Sequence, residues 1–157
     1  MKALITAARN GKKVTAVVEL LARFDEESNI KWSKRMQEEG VNVIFGVEGL
    51  KIHSKLLYIE SKKGNIACVG TGNFHEGNAK IYTDYLMMTA RTKLVNEVAK
   101  VFDFIDRPFS PFRFNELLVS PNSMKSRILR MLDTEIKNAN EGKEAWVKMK
   151  INHITDT

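Results

Sequence analysis

One alternation of texture near the start of the chain constrains its fold most. Val14-Thr15-Ala16-Val17-Val18-Glu19-Leu20 is a β-branched run that reads as a buried strand. A helical spacing over 30–39 follows, stopped by Gly40, and Val41-Asn42-Val43-Ile44-Phe45 is a second such run. Strands joined through a crossover helix pair in parallel, since a tight turn can only return a strand antiparallel. An α/β layer is therefore expected, and a pure helix bundle or all-β sandwich is excluded.

The flanking segments extend this layer. Residues 2–12 read as a helix with Leu4, Ile5 and Ala8 on one face and Gly11 as its stop. No capping residue precedes it, as in a chain cut inside a larger protein. Residues 23–29 read as a charged loop. Apolar runs over 50–59 and 66–70 flank Lys62-Lys63-Gly64-Asn65, which predicts a hairpin. Residues 82–89 form the last strand candidate, and 92–106 carry helical spacing. A proline-punctuated connector, Arg107-Pro108-Phe109-Ser110-Pro111-Phe112, then changes the texture. Ser123 is placed to cap a helix over 124–141. Trp146-Val147-Lys148-Met149-Lys150-Ile151 alternates as a half-exposed strand would.

Composition narrows the partners. Hydrophobic residues at 43% suffice for a core, and charged residues at 28% with a net charge of +6 favour phosphate-rich partners. Those are nucleotides, polyphosphate, nucleic acid or an anionic membrane surface. Cys68 is the one cysteine, so an intrachain disulfide framework is excluded, and its apolar neighbours make it a packing residue. No apolar stretch approaches the roughly 20 residues that span a bilayer. No signal peptide is evident, so a soluble, cytoplasmic protein is expected.

Three polar elements point to phosphate chemistry. His53 and Lys55 sit two apart, which on a strand puts an imidazole and an ammonium on one face. The ammonium holds an anion while an unprotonated ring nitrogen attacks phosphorus. Gly70-Thr71-Gly72-Asn73 ends a strand, where glycines bring backbone N–H groups close to an anion and Asn73 adds a donor. Arg23, at the end of the first strand, offers bidentate phosphate binding. Ligands of open α/β sheets gather at such strand ends.

His-x-Lys followed after a hairpin by Gly-Thr-Gly-Asn resembles one half of a phospholipase D-type site. The Asp usual after His-x-Lys is absent, and Glu60 stands in its place. Longer stretches resemble the bacterial, phosphohistidine-forming polyphosphate kinases: Ala22-Arg23-Phe24-Asp25-Glu26-Glu27-Ser28-Asn29-Ile30, Gly49-Leu50-Lys51-Ile52-His53-Ser54-Lys55, Val69-Gly70-Thr71-Gly72-Asn73-Phe74-His75-Glu76 and Ile81-Tyr82-Thr83-Asp84-Tyr85. The resemblance continues through Phe104-Ile105-Asp106-Arg107-Pro108 and Leu118-Val119-Ser120-Pro121.

That resemblance implies a phospholipase D-like half with a mixed sheet flanked by helices. It implies residues 1–120 as most of a first catalytic domain, and 121–157 as a linking helix and first strand of a second. His53 is implied as the phosphohistidine nucleophile, Lys55 and Asn73 as phosphate-binding residues, and Tyr82 as lining the ATP site. Arg23 falls at the family's magnesium–phosphate site; guanidinium has no lone pair to give a metal, so it is expected to clamp metal-bound phosphates. The implied reaction moves the ATP γ-phosphate reversibly to the end of polyphosphate, with Mg²⁺ and with ADP as product. No nucleic acid partner is expected; peripheral membrane association and a homo-oligomer are expected of the whole enzyme. His75 and His153 match no catalytic motif and read as exposed polar residues. A second catalytic histidine lies in the part of the family protein not represented here, so this chain alone is expected to be inactive. Two competing readings are a phospholipase D-type phosphodiesterase or nuclease working as a dimer, and a basic nucleic-acid-binding module. Few aromatic residues are free for base stacking in the latter.

Overall fold

The computed structural model describes residues 1–19 and 26–151. Residues 1–111 and 112–157 form two compact units.

The first unit opens with α1 (Lys2–Arg9), β1 (Thr15–Val18), α2 (Glu26–Glu38) and β2 (Asn42–Phe45). β1 and β2 pair in parallel, with Thr15 opposite Asn42 and Val18 opposite Phe45, as the crossover requires. Helix α2 begins four residues before its apolar spacing does. Glu26 and Glu27 occupy its first turn, where carboxylates favour the positive end of a helix dipole. Ile5, Val18, Met36 and Val41 are buried together, so both helices and the strand pair share one core. Arg9 makes an ion pair with Glu39 at its rim. That pair holds the Glu39 carboxyl below its ordinary range, first through the hydrogen bond from Arg9.

The unit continues with β3 (Lys55–Ile59), β4 (Ile66–Gly70), α3 (Glu76–Ile81), β5 (Leu86–Thr89) and α4 (Thr92–Asp106). The three strands form an antiparallel sheet in the order β3-β4-β5. The expected hairpin joins β3 to β4. Gly64 at φ 127° makes its turn, and the Ser61 hydroxyl donates to the Gly64 carbonyl at 2.7 Å. Helix α4 packs on β3 and β4. Its Val95, Val98, Val101 and Ile105 are buried, as are Ala67 and Cys68 of β4, which confirms Cys68 as a packing residue.

The α/β class holds, but the parallel and antiparallel strands form two sheets among the described residues, not one mixed sheet. The strands expected over 50–59 and 82–89 are shorter. Residues 51–54 are irregular, and 76–81 form α3, which the sequence did not suggest.

In the second unit α5 (Met124–Asn140) is the one regular element among the described residues. The Arg127 guanidinium donates to the carbonyls of Phe114, Asn115 and Leu117 at 3.2, 2.6 and 2.9 Å, tying the preceding segment to the helix. Ser123 stands at the N-cap position but makes no side-chain cap bond. Its hydroxyl oxygen is buried without a partner, so the expected capping bond is not made. Residues 146–151 form no strand, because an alternating segment needs a neighbouring strand to take up its backbone groups.

Candidate active site

The site is built at the β3 start, the β4 end and the turn before β5. Lys55 opens β3 directly opposite Gly70, and Gly70 is directly opposite Leu86. His53 therefore lies two residues before the strand, on an irregular and exposed segment. The shared-face geometry expected for His53 and Lys55 does not apply, since only Lys55 is on a strand. They meet another way: the Lys55 Nζ donates to the His53 carbonyl at 2.5 Å.

The Lys55 ammonium is pushed below its ordinary pKa by burial, and the nearby Asp84 carboxylate opposes that shift. Asp84 is the acidic member of this cluster. Its Oδ1 accepts from the Thr71 hydroxyl at 2.9 Å, and the Thr71 hydroxyl in turn accepts from the Tyr85 amide at 3.0 Å. The Thr71 amide donates to the Tyr85 carbonyl at 3.0 Å, so that amide is not free for an anion.

Gly72 has a specific reason to be glycine. A Cβ there would lie 2.8 Å from the Asp84 Cβ and closer still to its carboxylate. The glycine makes room for Asp84. The sequence had suggested room for an incoming anion. Asn73 is exposed beyond this turn, and its carbonyl accepts from the His75 amide at 2.7 Å.

His75 is exposed, as expected, but it has a job. It is the N-cap of α3, and its Nδ1 accepts from the Asn78 amide at 3.2 Å. The ring lies over Gly77, where an added Cβ would come within 2.9 Å of the ring carbon Cε1. Tyr82, expected on a strand, instead caps the C-terminus of α3 and is 64% exposed. It is free to meet a ligand, which a strand tyrosine packed in the sheet would not be.

Glu60 follows the far end of β3. Five strand steps of about 3.3 Å separate it from Lys55, so it is roughly 16 Å from the site. There it helps hold the Tyr58 hydroxyl above its ordinary pKa, after burial. Arg23 and His153 lie outside the described residues. Among the described residues no group of three His, Cys, Asp or Glu side chains could hold a metal ion. Lys55 and His53, joined through the His53 carbonyl, suit phosphate oxygens, not a cation. Mg²⁺ has no dedicated cage among these residues.

Comparison with known proteins bears on the family and the fold. The family model described as polyphosphate kinase C-terminal domain 1 matches residues 1–111, and C-terminal domain 2 matches residues 117–157. The polyphosphate kinase of Vibrio parahaemolyticus is 52% identical over 160 residues, covering 99% of this chain and 23% of the relative. That of Escherichia coli K12 is 49% identical over 157 residues, covering 98% and 23%. The crystal structure of polyphosphate kinase from Porphyromonas gingivalis superposes with a TM-score of 0.76 at 40% identity, over 91% of this chain and 25% of that one.

The fold is thus α/β and phospholipase D-like. The chain belongs to the polyphosphate kinase family. It spans about a quarter of the length of the curated relatives it matches. No helix among the described residues is long and apolar enough to cross a membrane.

Proposed function

We propose that this chain carries the phosphate-accepting half of a polyphosphate kinase, with His53 as its nucleophile. The observation that carries the proposal is the exposed His53, held by its own carbonyl to Lys55, which lies opposite Gly70 and feels the Asp84 carboxylate. An unprotonated His53 ring nitrogen attacks the γ-phosphorus of ATP. The N–P bond forms as the bond to the ADP oxygen breaks. A terminal oxygen of polyphosphate then attacks that phosphorus, the P–N bond breaks, and the chain is one phosphate longer. Lys55 neutralises the transferring phosphoryl oxygens, Asn73 donates to them, and Tyr82 lines the nucleotide. Arg23 clamps the phosphates, and Mg²⁺ accompanies the nucleotide as its counter-ion.

The compartment is the cytoplasm, where ATP is supplied. The whole enzyme is a homo-oligomer with peripheral membrane association. Residues 1–120 belong to one catalytic domain and 121–157 open the next. The 157 residues alone do not sustain polyphosphate synthesis, in keeping with the quarter of the relatives that they span.

Phosphohistidine mapping tests this reading. The intact enzyme is exposed to γ-labelled ATP and digested, and the labelled peptide is sequenced. Label at His53, absent in His53→Ala, is the expected result. Label at any other residue would overturn the assignment.

A further inference from the structure

His53 can attack phosphorus only if its irregular segment holds a fixed position. Residues 51–54 belong to no strand, so sheet hydrogen bonds do not supply that position. On the C-terminal side the tether is the Lys55 ammonium at the His53 carbonyl. On the N-terminal side it comes from another element. The Glu19 Oε2 accepts from the Ile52 amide at 3.2 Å. Glu19 directly follows Val18, the last residue of β1.

Glu19 is itself anchored. Its backbone carbonyl accepts from the Asn29 Nδ2 of α2 at 3.2 Å, and its side chain is part-buried. Val18 beside it lies in the core with Met36. A chain of contacts thus runs from the β1–β2 core through a carboxylate to the residue next to His53.

We propose that Glu19 is a positioning residue for the nucleophile: its carboxylate fixes the His53 segment to the end of β1. The inference rests on His53 being the phosphate acceptor. Glu19 need not touch substrate. What it supplies to the His53 segment is an acceptor for the Ile52 amide, and an amide carbonyl supplies that as well as a carboxylate does. This separates a tether from a general base or a metal ligand, both of which need the charge.

The test compares Glu19→Ala with Glu19→Gln in the intact enzyme. Misplacement of a reacting group by about 1 Å costs about 10²-fold in rate. Glu19→Ala is expected to slow His53 phosphorylation at saturating ATP by roughly tenfold to a hundredfold, with KM for ATP changed by less than about twofold. Glu19→Gln should restore most of the rate. Hydrogen exchange at the Ile52 amide supplies a readout independent of catalysis: faster in Glu19→Ala, near wild type in Glu19→Gln. Equal loss of rate in both variants, or unchanged Ile52 exchange in Glu19→Ala, would overturn the proposal. His53→Ala runs alongside. Persistent labelling there defeats the choice of nucleophile, while the Ile52 exchange still decides the tether.

Discussion

Replacing Gly72 by alanine should be costly for a reason that one residue controls. The new methyl would lie 2.8 Å from the Asp84 Cβ and closer to its carboxylate, well inside the 3.5–4.0 Å of ordinary carbon contact. Asp84 must turn away, and its bond from the Thr71 hydroxyl is lost. A hydrogen bond to a charged group contributes about 1.5–3 kcal/mol. The lower end applies here because Thr71 and Asp84 are exposed. An off-rotamer side chain adds about 0.5–1.5 kcal/mol where the turn is incomplete. The expected loss is about 2 kcal/mol, roughly a thirtyfold change in the folding equilibrium. Gly70→Ala is the contrast. Its nearest neighbour would be the Leu86 Cδ1 at 3.1 Å, the end of a flexible side chain that can give way.

The assay is a double-mutant cycle read by urea midpoints at constant m. The second site must be Asp84→Gly, since an alanine there keeps the Cβ that collides. If Asp84 is the obstacle, Gly72→Ala should cost less than about 0.5 kcal/mol in the Asp84→Gly background, against about 2 kcal/mol in the wild type. Additive effects across the cycle, or a wild-type cost under about 0.5 kcal/mol, would refute the reasoning.

Two further expectations concern the same strand ends. Burial lowers the Lys55 pKa and Asp84 opposes it, so Asp84→Asn should move the alkaline limb of His53 phosphorylation to lower pH; a limb that stays or rises contradicts this. The sign for stability follows. Folding penalises the charged ammonium below its folded pKa, and the penalty is relieved as pH rises from there towards the unfolded value. For α3, which buries no residue, the cap matters more than packing. His75→Ala should cost about 1 kcal/mol of local stability, read as faster exchange of the Asn78 and Ala79 amides, whereas His75→Asn should keep the cap. Equal exchange in the two variants would show that the ring does not cap.

The parts of the fold legible in the sequence were those with a strong period or a local turn. β1, β2 and α4 came from β-branched runs and a 3.6-residue spacing, and the β3–β4 hairpin came from Lys62 to Asn65. Helix α3 was illegible because six residues with none buried leave no apolar period to detect, and Tyr82 was placed on a strand as a result. Residues 146–151 erred in the opposite sense. Their alternation is real, yet pairing is non-local and the alternation says nothing about whether a partner strand is there.

The site divides along a chemical line. His53, Lys55 and Asn73 are legible in the sequence because cations and donors suit phosphate chemically. Glu19 and Asp84 repel phosphate, so nothing in their chemistry marks them as members of such a site. They act on the protein, not on the ligand: Glu19 on the Ile52 amide, Asp84 on Thr71 and Lys55. The phosphate site proposed here, which would have to release its product as readily as it binds, gains from such carboxylates. Both carboxylates act on the frame of the site, through the Ile52 amide and the Thr71 hydroxyl, without adding to the affinity for phosphate. The acidic residues around this turn are thus part of the same design as the cations, and only the contacts between β1, β3 and the Thr71 turn reveal it.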